Sequence, residues 1–136
     1  MSIQSELGSS DLENVVADVL MRTVEYDRSD MVGNVLNVPI LPGTIVFGVG
    51  HKVKTAFSGG ATPTVTIGDG TTADKFATSA EITPGTVNTF AMKMVAKEYP
   101  AAGKIVVTAH ADVTAGAGKL YILYTNLNGN SRIPNL

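Results

Sequence analysis

Between residues 43 and 57 the chain reads GTIVFGVGHKVKTAF, and no other stretch limits the fold as tightly. Ile45, Phe47, Val49, His51, Val53, Thr55 and Phe57 hold the odd positions, while Gly48, Gly50, Lys52 and Lys54 fall between them. Side chains of an extended strand point alternately to opposite faces, so a period of two sets one face on a core and the other toward solvent or a neighbour. Gly48 and Gly50 lie on the outer face, where they weaken the strand but permit a bend, a bulge or a close backbone approach.

Further strands are expected at 63–68, 86–97, 104–113 and 119–125, with Gly or Pro punctuating nearly every ten residues. Such spacing of short strands predicts an all-β antiparallel sandwich, jelly-roll-like, with a core of Ile45, Phe47, Val49, Val53, Phe57, Val65, Ile67, Ile105, Val107, Leu120 and Ile122. In the last strand Tyr121 and Leu123 alternate with Leu120, Ile122 and Tyr124. Both faces are apolar, so that strand is central or covered by another subunit, and Tyr121 and Leu123 are interface candidates. TAGAGK at 114–119 suits a hairpin loop between the last two strands.

The N-terminal part reads differently. Ser10 and Glu13 fit a capping box, and Leu12, Val15, Val16 and Val19 recur at helical spacing. The expected organisation is an arm at 1–18 with a short helix at 10–17, a sandwich at 19–126 opening on a strand at 19–27, and a tail at 127–136. Ile3 and Leu7 are isolated apolar anchors in the polar arm, suited to ordering against a partner.

A length of 136 residues fits one domain with one core, and 44% hydrophobic against 16% charged residues is apolar enough to build it. Without cysteine the fold has no disulfides, thiolate metal sites or thiol nucleophiles, and must hold by packing and association. A net charge of −2, with ten scattered Lys and Arg, gives no basic patch for nucleic acid. The polar, acidic start is no secretory signal, and no apolar run is long enough to span a bilayer. A protein made in solution inside a cell, with neither nucleic acid nor membrane as partner, is the expectation.

KTAFSGGATPTVTIGDG, residues 54–70, sets glycines around an aspartate, as a phosphate loop, a calcium loop or a tight corner between strands would. A P-loop needs a Gly-Lys-Ser/Thr ending and a following helix, and neither is present. FGVGHKV has Val53 where a dinucleotide fingerprint needs its third glycine. Asp69 and Asp74 are the metal candidates, as loop carboxylates suited to a hard cation, but the remaining acidic positions of an EF-hand are missing. A turn, with Asp69 bonded to nearby backbone amides, is the preferred reading. His51 and His110 lack metal-ligand spacing and read as structural or interface residues, and no G-x-S-x-G marks a serine nucleophile. No catalytic residue, cofactor or enzyme activity is expected. Tyr99, before the turn at 100–103, suits a corner residue whose ring packs while its hydroxyl caps backbone.

LPGTIVFGVGHKVKTAFSGGATPTVTIGDGTTADKFATSAEI resembles a segment of virion proteins of tailed bacteriophages, and KEYPAAGKIVVTAHADVTAGAGKLYILYT resembles their closing strands. The resemblance extends over about residues 20–125. It implies a β-sandwich building block, often trimeric, assembled in the host cytoplasm into a virion, with KTAFSGGATPTVTIGDG as a hairpin whose glycines permit the turns and whose Val65 and Ile67 enter the core. A head decoration (cement) protein on the lattice of the major capsid protein comes first, and a tail or head-fibre component second. The residues alone also leave open a carbohydrate- or receptor-binding β module and a calcium-dependent adhesin domain.

Overall fold

Short runs of β-branched and aromatic residues, broken by Gly, Pro and Asn, fold into eight strands in the computed structural model, which describes residues 19–128. They are β1 (Leu20–Asp27), β2 (Val35–Ile40), β3 (Thr44–Ser58), β4 (Val65–Gly68), β5 (Phe90–Lys93), β6 (Lys97–Tyr99), β7 (Gly103–Ala109) and β8 (Ala115–Asn126). A single-turn helix, α1 (Ser79–Ile82), is closed by a capping box in which Thr78 and Glu81 each bond the other's backbone amide.

The pairings nest. β1 pairs with β8, β2 with β7 and β3 with β6, all antiparallel, as in one long hairpin folded at its middle. Rolling that hairpin brings β8 against β3 and β7 against β4. The outcome is an all-β sandwich with jelly-roll wiring. Its larger sheet runs β1-β8-β3, with β5 and β6 sharing the far side of β3, and its smaller sheet runs β2-β7-β4. β5 departs from the nest by joining β3 rather than β4. β2, a strand not foreseen individually, lies at a sheet edge, where the missing N–H of Pro39 costs no ladder bond.

Antiparallel sheets can bury one face each, and the core lies between them. Val49, Val53, Phe57, Val65, Ile67, Ile105, Val107, Leu120 and Ile122 are buried as expected. Ile45 and Phe47 are not: both are only partly buried, and Val46 takes the core position at 0% exposure. The cause is a register shift, with Val46 opposite Tyr124 but Gly48 opposite Leu123, so Phe47 is the extra residue of a bulge and the alternation reverses across it. Two further shifts between Val53 and Ser58 add one residue each, cancel in phase, and return Phe57 to the interior.

Two expected hairpins are also corrected. The KTAF and TVTIG runs do not pair, because β3 and β4 belong to different sheets and residues 59–64 cross between them. Residues 114–119 form no hairpin loop: β8 begins at Ala115 and pairs with β1 and β3, not with β7. Glycine is needed there for contact. A Cβ on Gly116 would stand 2.4 Å from the Phe57 ring, and one on Gly118 2.4 Å from His51 Nε2. The expected strand at 86–97 is two short strands, β5 and β6, separated by residues 94–96. The arm at 1–18, its helix at 10–17, Ile3 and Leu7, and the tail from residue 129 lie outside the described residues.

Phe57 and Phe47 therefore separate the two phases of β3. Phe57→Ala is expected to cost about 3–5 kcal/mol in urea unfolding, as for a fully buried aromatic. Phe47→Ala should cost well under half of that, and equal losses would mean that the bulge is misplaced.

Candidate interaction surface

Register fixes what the outer face of the larger sheet displays, because residues directly opposite one another share a face. In one row Met21, Leu123 and Gly48 stand side by side on β1, β8 and β3. The next row is Thr23, Tyr121, Gly50 and Met92 across β1, β8, β3 and β5, and the third is Glu25, Lys119, Lys52 and Phe90. One end of this face is apolar and the other charged.

Met92 and Met94 lie over the two glycines of β3. A Cβ on Gly50 would be 2.6 Å from Met92 Sδ, and one on Gly48 would be 2.8 Å from Met94 Sδ and 2.7 Å from the Lys93 carbonyl oxygen. Phe90 meets Tyr121 edge-on, with ring centroids 5.4 Å apart, and Lys119 Nζ lies 5.4 Å from the Tyr121 ring centre. At the charged end Glu25 pairs with Lys54 at 3.2 Å and with Lys119 at 3.8 Å. Met21 is 54%, Phe90 56% and Met94 63% exposed, too many large apolar groups in one patch for chance scatter.

The structure places Tyr121 and Leu123 together on this face, both partly buried. Met21, Phe90, Met92 and Met94 complete it and were not singled out from the sequence. The available signal was the spacing in FAMKM, where Phe90, Met92 and Met94 alternate with Ala91 and Lys93.

The other sequence candidates lie elsewhere. Asp69 Oδ1 accepts hydrogen bonds from the amides of Thr71 and Thr72 at 2.9 and 2.8 Å, and its Oδ2 is 3.5 Å from Lys97 Nζ. Burial pushes its carboxyl up, but those amides and the Lys97 ammonium pull it below the ordinary value. Asp74 is exposed, and no cluster of three or more metal-ligating side chains occurs among the described residues. His110 is exposed at the end of the smaller sheet, its Nδ1 accepting from the Asp112 amide at 3.1 Å. Tyr99 is a buried corner whose hydroxyl donates to the Lys104 carbonyl at 3.1 Å.

His51 is in the core, 1% exposed, with Nε2 2.7 Å from the Tyr26 hydroxyl and Nδ1 buried without a partner. Burial lowers its pKa from 6.5 to about 4 and raises that of Tyr26. The interior holds the imidazole neutral.

No protein-family model and no curated protein matches the chain. Two solved structures share its fold. A chain of the cyanophage Pam1 capsid asymmetric unit aligns with a TM-score of 0.57 at 15% identity, covering 88% of this chain and 97% of that one. A chain of the acidic stable capsid structure of Helicobacter pylori bacteriophage KHP30 aligns with a TM-score of 0.59 at 17% identity, covering 81% and 90%.

Because the fold holds His51 neutral while the unfolded chain protonates it near pH 6.5, stability is complete above that pH and falls as the pH drops toward 4. The expected loss is about 3 kcal/mol by pH 4, read from urea midpoints across this range. His51→Gln should remove that slope whatever its effect at neutral pH. An unchanged slope in the variant would show that His51 is not its source.

Proposed function

We propose that the chain is a non-enzymatic structural protein of a tailed-phage virion, a decoration (cement) protein that binds the lattice of the major capsid protein. One observation carries the reading: two chains from phage capsid structures have this sandwich over 97% and 90% of their own length. A jelly roll by itself is compatible with many functions, so the local features matter as well. In the cleft beside β5, Glu81 and Lys93 pair with each other at 3.3 Å, and His51 is bonded to Tyr26. Glu81 and Lys93 are thus occupied with each other, and His51 faces Tyr26 inside the core. The face rich in Met, Phe, Tyr and Leu instead suits packing against protein.

The copies self-associate as a homotrimer through the outer face of the larger sheet, on which Tyr121 and Leu123 lie between Met21 and the methionines of the β5 side. Contacts of modest strength suffice when many copies bind one lattice. Ile3 and Leu7, in the arm, add an attachment to the virion partner, by pairing or packing at a neighbour's sheet edge.

Purified protein added to capsid shells that lack it should co-sediment with them and saturate, while isolated tails should leave it in the supernatant. Retention by tails and not by shells would overturn the decoration role in favour of a tail component. Removal of residues 1–10 should leave the circular dichroism spectrum unchanged and lower occupancy on shells several-fold. Full occupancy of the shortened chain would place attachment in the sandwich itself. Sedimentation of the free protein at micromolar concentration should give the mass of a trimer, and a monomer alone would contradict self-association.

A further inference from the structure

We propose that the free edge of β1 takes up an extended strand of another protein, one that carries a Glu or Asp opposite Arg22 between two apolar residues. The inference stands on the edge itself and does not require the virion reading. It leaves the outer face, with Tyr121 and Leu123, to self-association.

The edge is the first observation. β1 ends the larger sheet and pairs with β8 alone, along all eight of its residues. In an antiparallel pair, alternate residues direct their N–H and C=O groups away from the partner strand. Among the described residues no other backbone group bonds residues 20–26. Such a row is a template for one more strand.

Arg22 is the second. Leu20, Arg22, Val24 and Tyr26 stand opposite Tyr124, Ile122, Leu120 and Gly118 on β8, so all four share the inner face of the sheet. A guanidinium in this row lies among core residues. Its Nη1 is buried without a hydrogen-bond partner, and no carboxylate of the described residues reaches it. Burial disfavours its charge, and the Tyr124 hydroxyl is the group that opposes this. A buried cation left unpaired costs stability, and a carboxylate offsets that cost through two charge-assisted hydrogen bonds.

Strand geometry then specifies the partner. A residue directly opposite Arg22 on an added strand has its Cβ about 5 Å away, which brings a Glu or Asp carboxylate to the guanidinium. The residues two before and two after it face Leu20 and Val24, both only partly buried in the free chain. The added strand is therefore apolar, acidic and apolar at alternate positions, in either direction. A second copy of β1 does not fit, because its inner row offers Leu20, Arg22, Val24 and Tyr26 and no carboxylate.

The probe is a capped synthetic peptide, Thr-Val-Thr-Glu-Thr-Val-Thr, added to the full chain up to millimolar concentration. Two-dimensional NMR reads both the binding and its place. The β1 amides should shift and saturate, and the same peptide with Gln for Glu should bind several-fold more weakly. Arg22→Gln should reduce the Glu peptide to the affinity of the Gln peptide, and Arg22→Glu should favour a peptide with Lys at the central position. The absence of saturable shifts, or shifts confined to residues outside β1, would overturn the proposal. Equal affinity for the Glu and Gln peptides would also overturn it and leave Arg22 as a guard against edge-to-edge pairing. Arg22→Met gives a test without peptide. The urea midpoint of the free chain should rise, because a buried unpaired charge is removed. A lower midpoint would show the guanidinium already satisfied within the chain and would overturn the proposal.

Discussion

The larger sheet depends on the pairing of β3 with β8. β8 holds β1 on its other side, and β3 holds β5 and β6, so without this ladder the sheet separates into two- and three-stranded pieces. Pieces of that size are marginal in water unless a second layer covers them. The same ladder decides which residues meet that second layer. Its bulge at Phe47 sends Val46 inward, and its paired shifts near Thr55 bring Phe57 back to the core. A ladder without the bulge at Phe47 would bury Ile45 and Phe47 and turn Val46 outward.

The ladder also carries the aromatic cluster that closes one end of the core. Tyr26, His51 and Phe57 come from β1 and β3 and meet with ring centroids 5.8 to 6.4 Å apart. They fit because β8 passes beneath them with Gly116 and Gly118, where any side chain would collide with Phe57 or His51. On the opposite face of the sheet Gly48 and Gly50 make room in the same way for Met94 and Met92. Glycine in this protein thus sets how closely a strand is approached from either side, and the outer apolar face and the buried histidine both follow from it.

Much of this was legible in the sequence, for a physical reason in each case. The period of two in β3, β7 and β8 follows from strand geometry, so the fold class and most core positions could be read directly. The phase error at Ile45 and Phe47 could not have been found that way, because a bulge depends on the partner strand. Glycine misled at 114–119 because a turn and a close ring contact leave the same mark in a sequence. The candidate face was half legible: Tyr121 and Leu123 were evident from a strand apolar on both sides. Met21, Phe90 and Met92 joined them only once pairing with β8 and β3 set their register. The wiring that separates β3 from β4 is a long-range choice that no local pattern records.

The outer face of the larger sheet is apolar over its Met21–Leu123 and Tyr121–Met92 rows, and the central claim of the proposed role is that this face packs against protein. A density map of a particle carrying this chain tests that claim most directly. The account predicts the outer face of the larger sheet turned toward protein, with Phe90, Met92 and Met94 buried against a neighbouring subunit. A map with that face open to solvent, and with the smaller sheet's Val106 and Thr108 side seated on the shell, would contradict it.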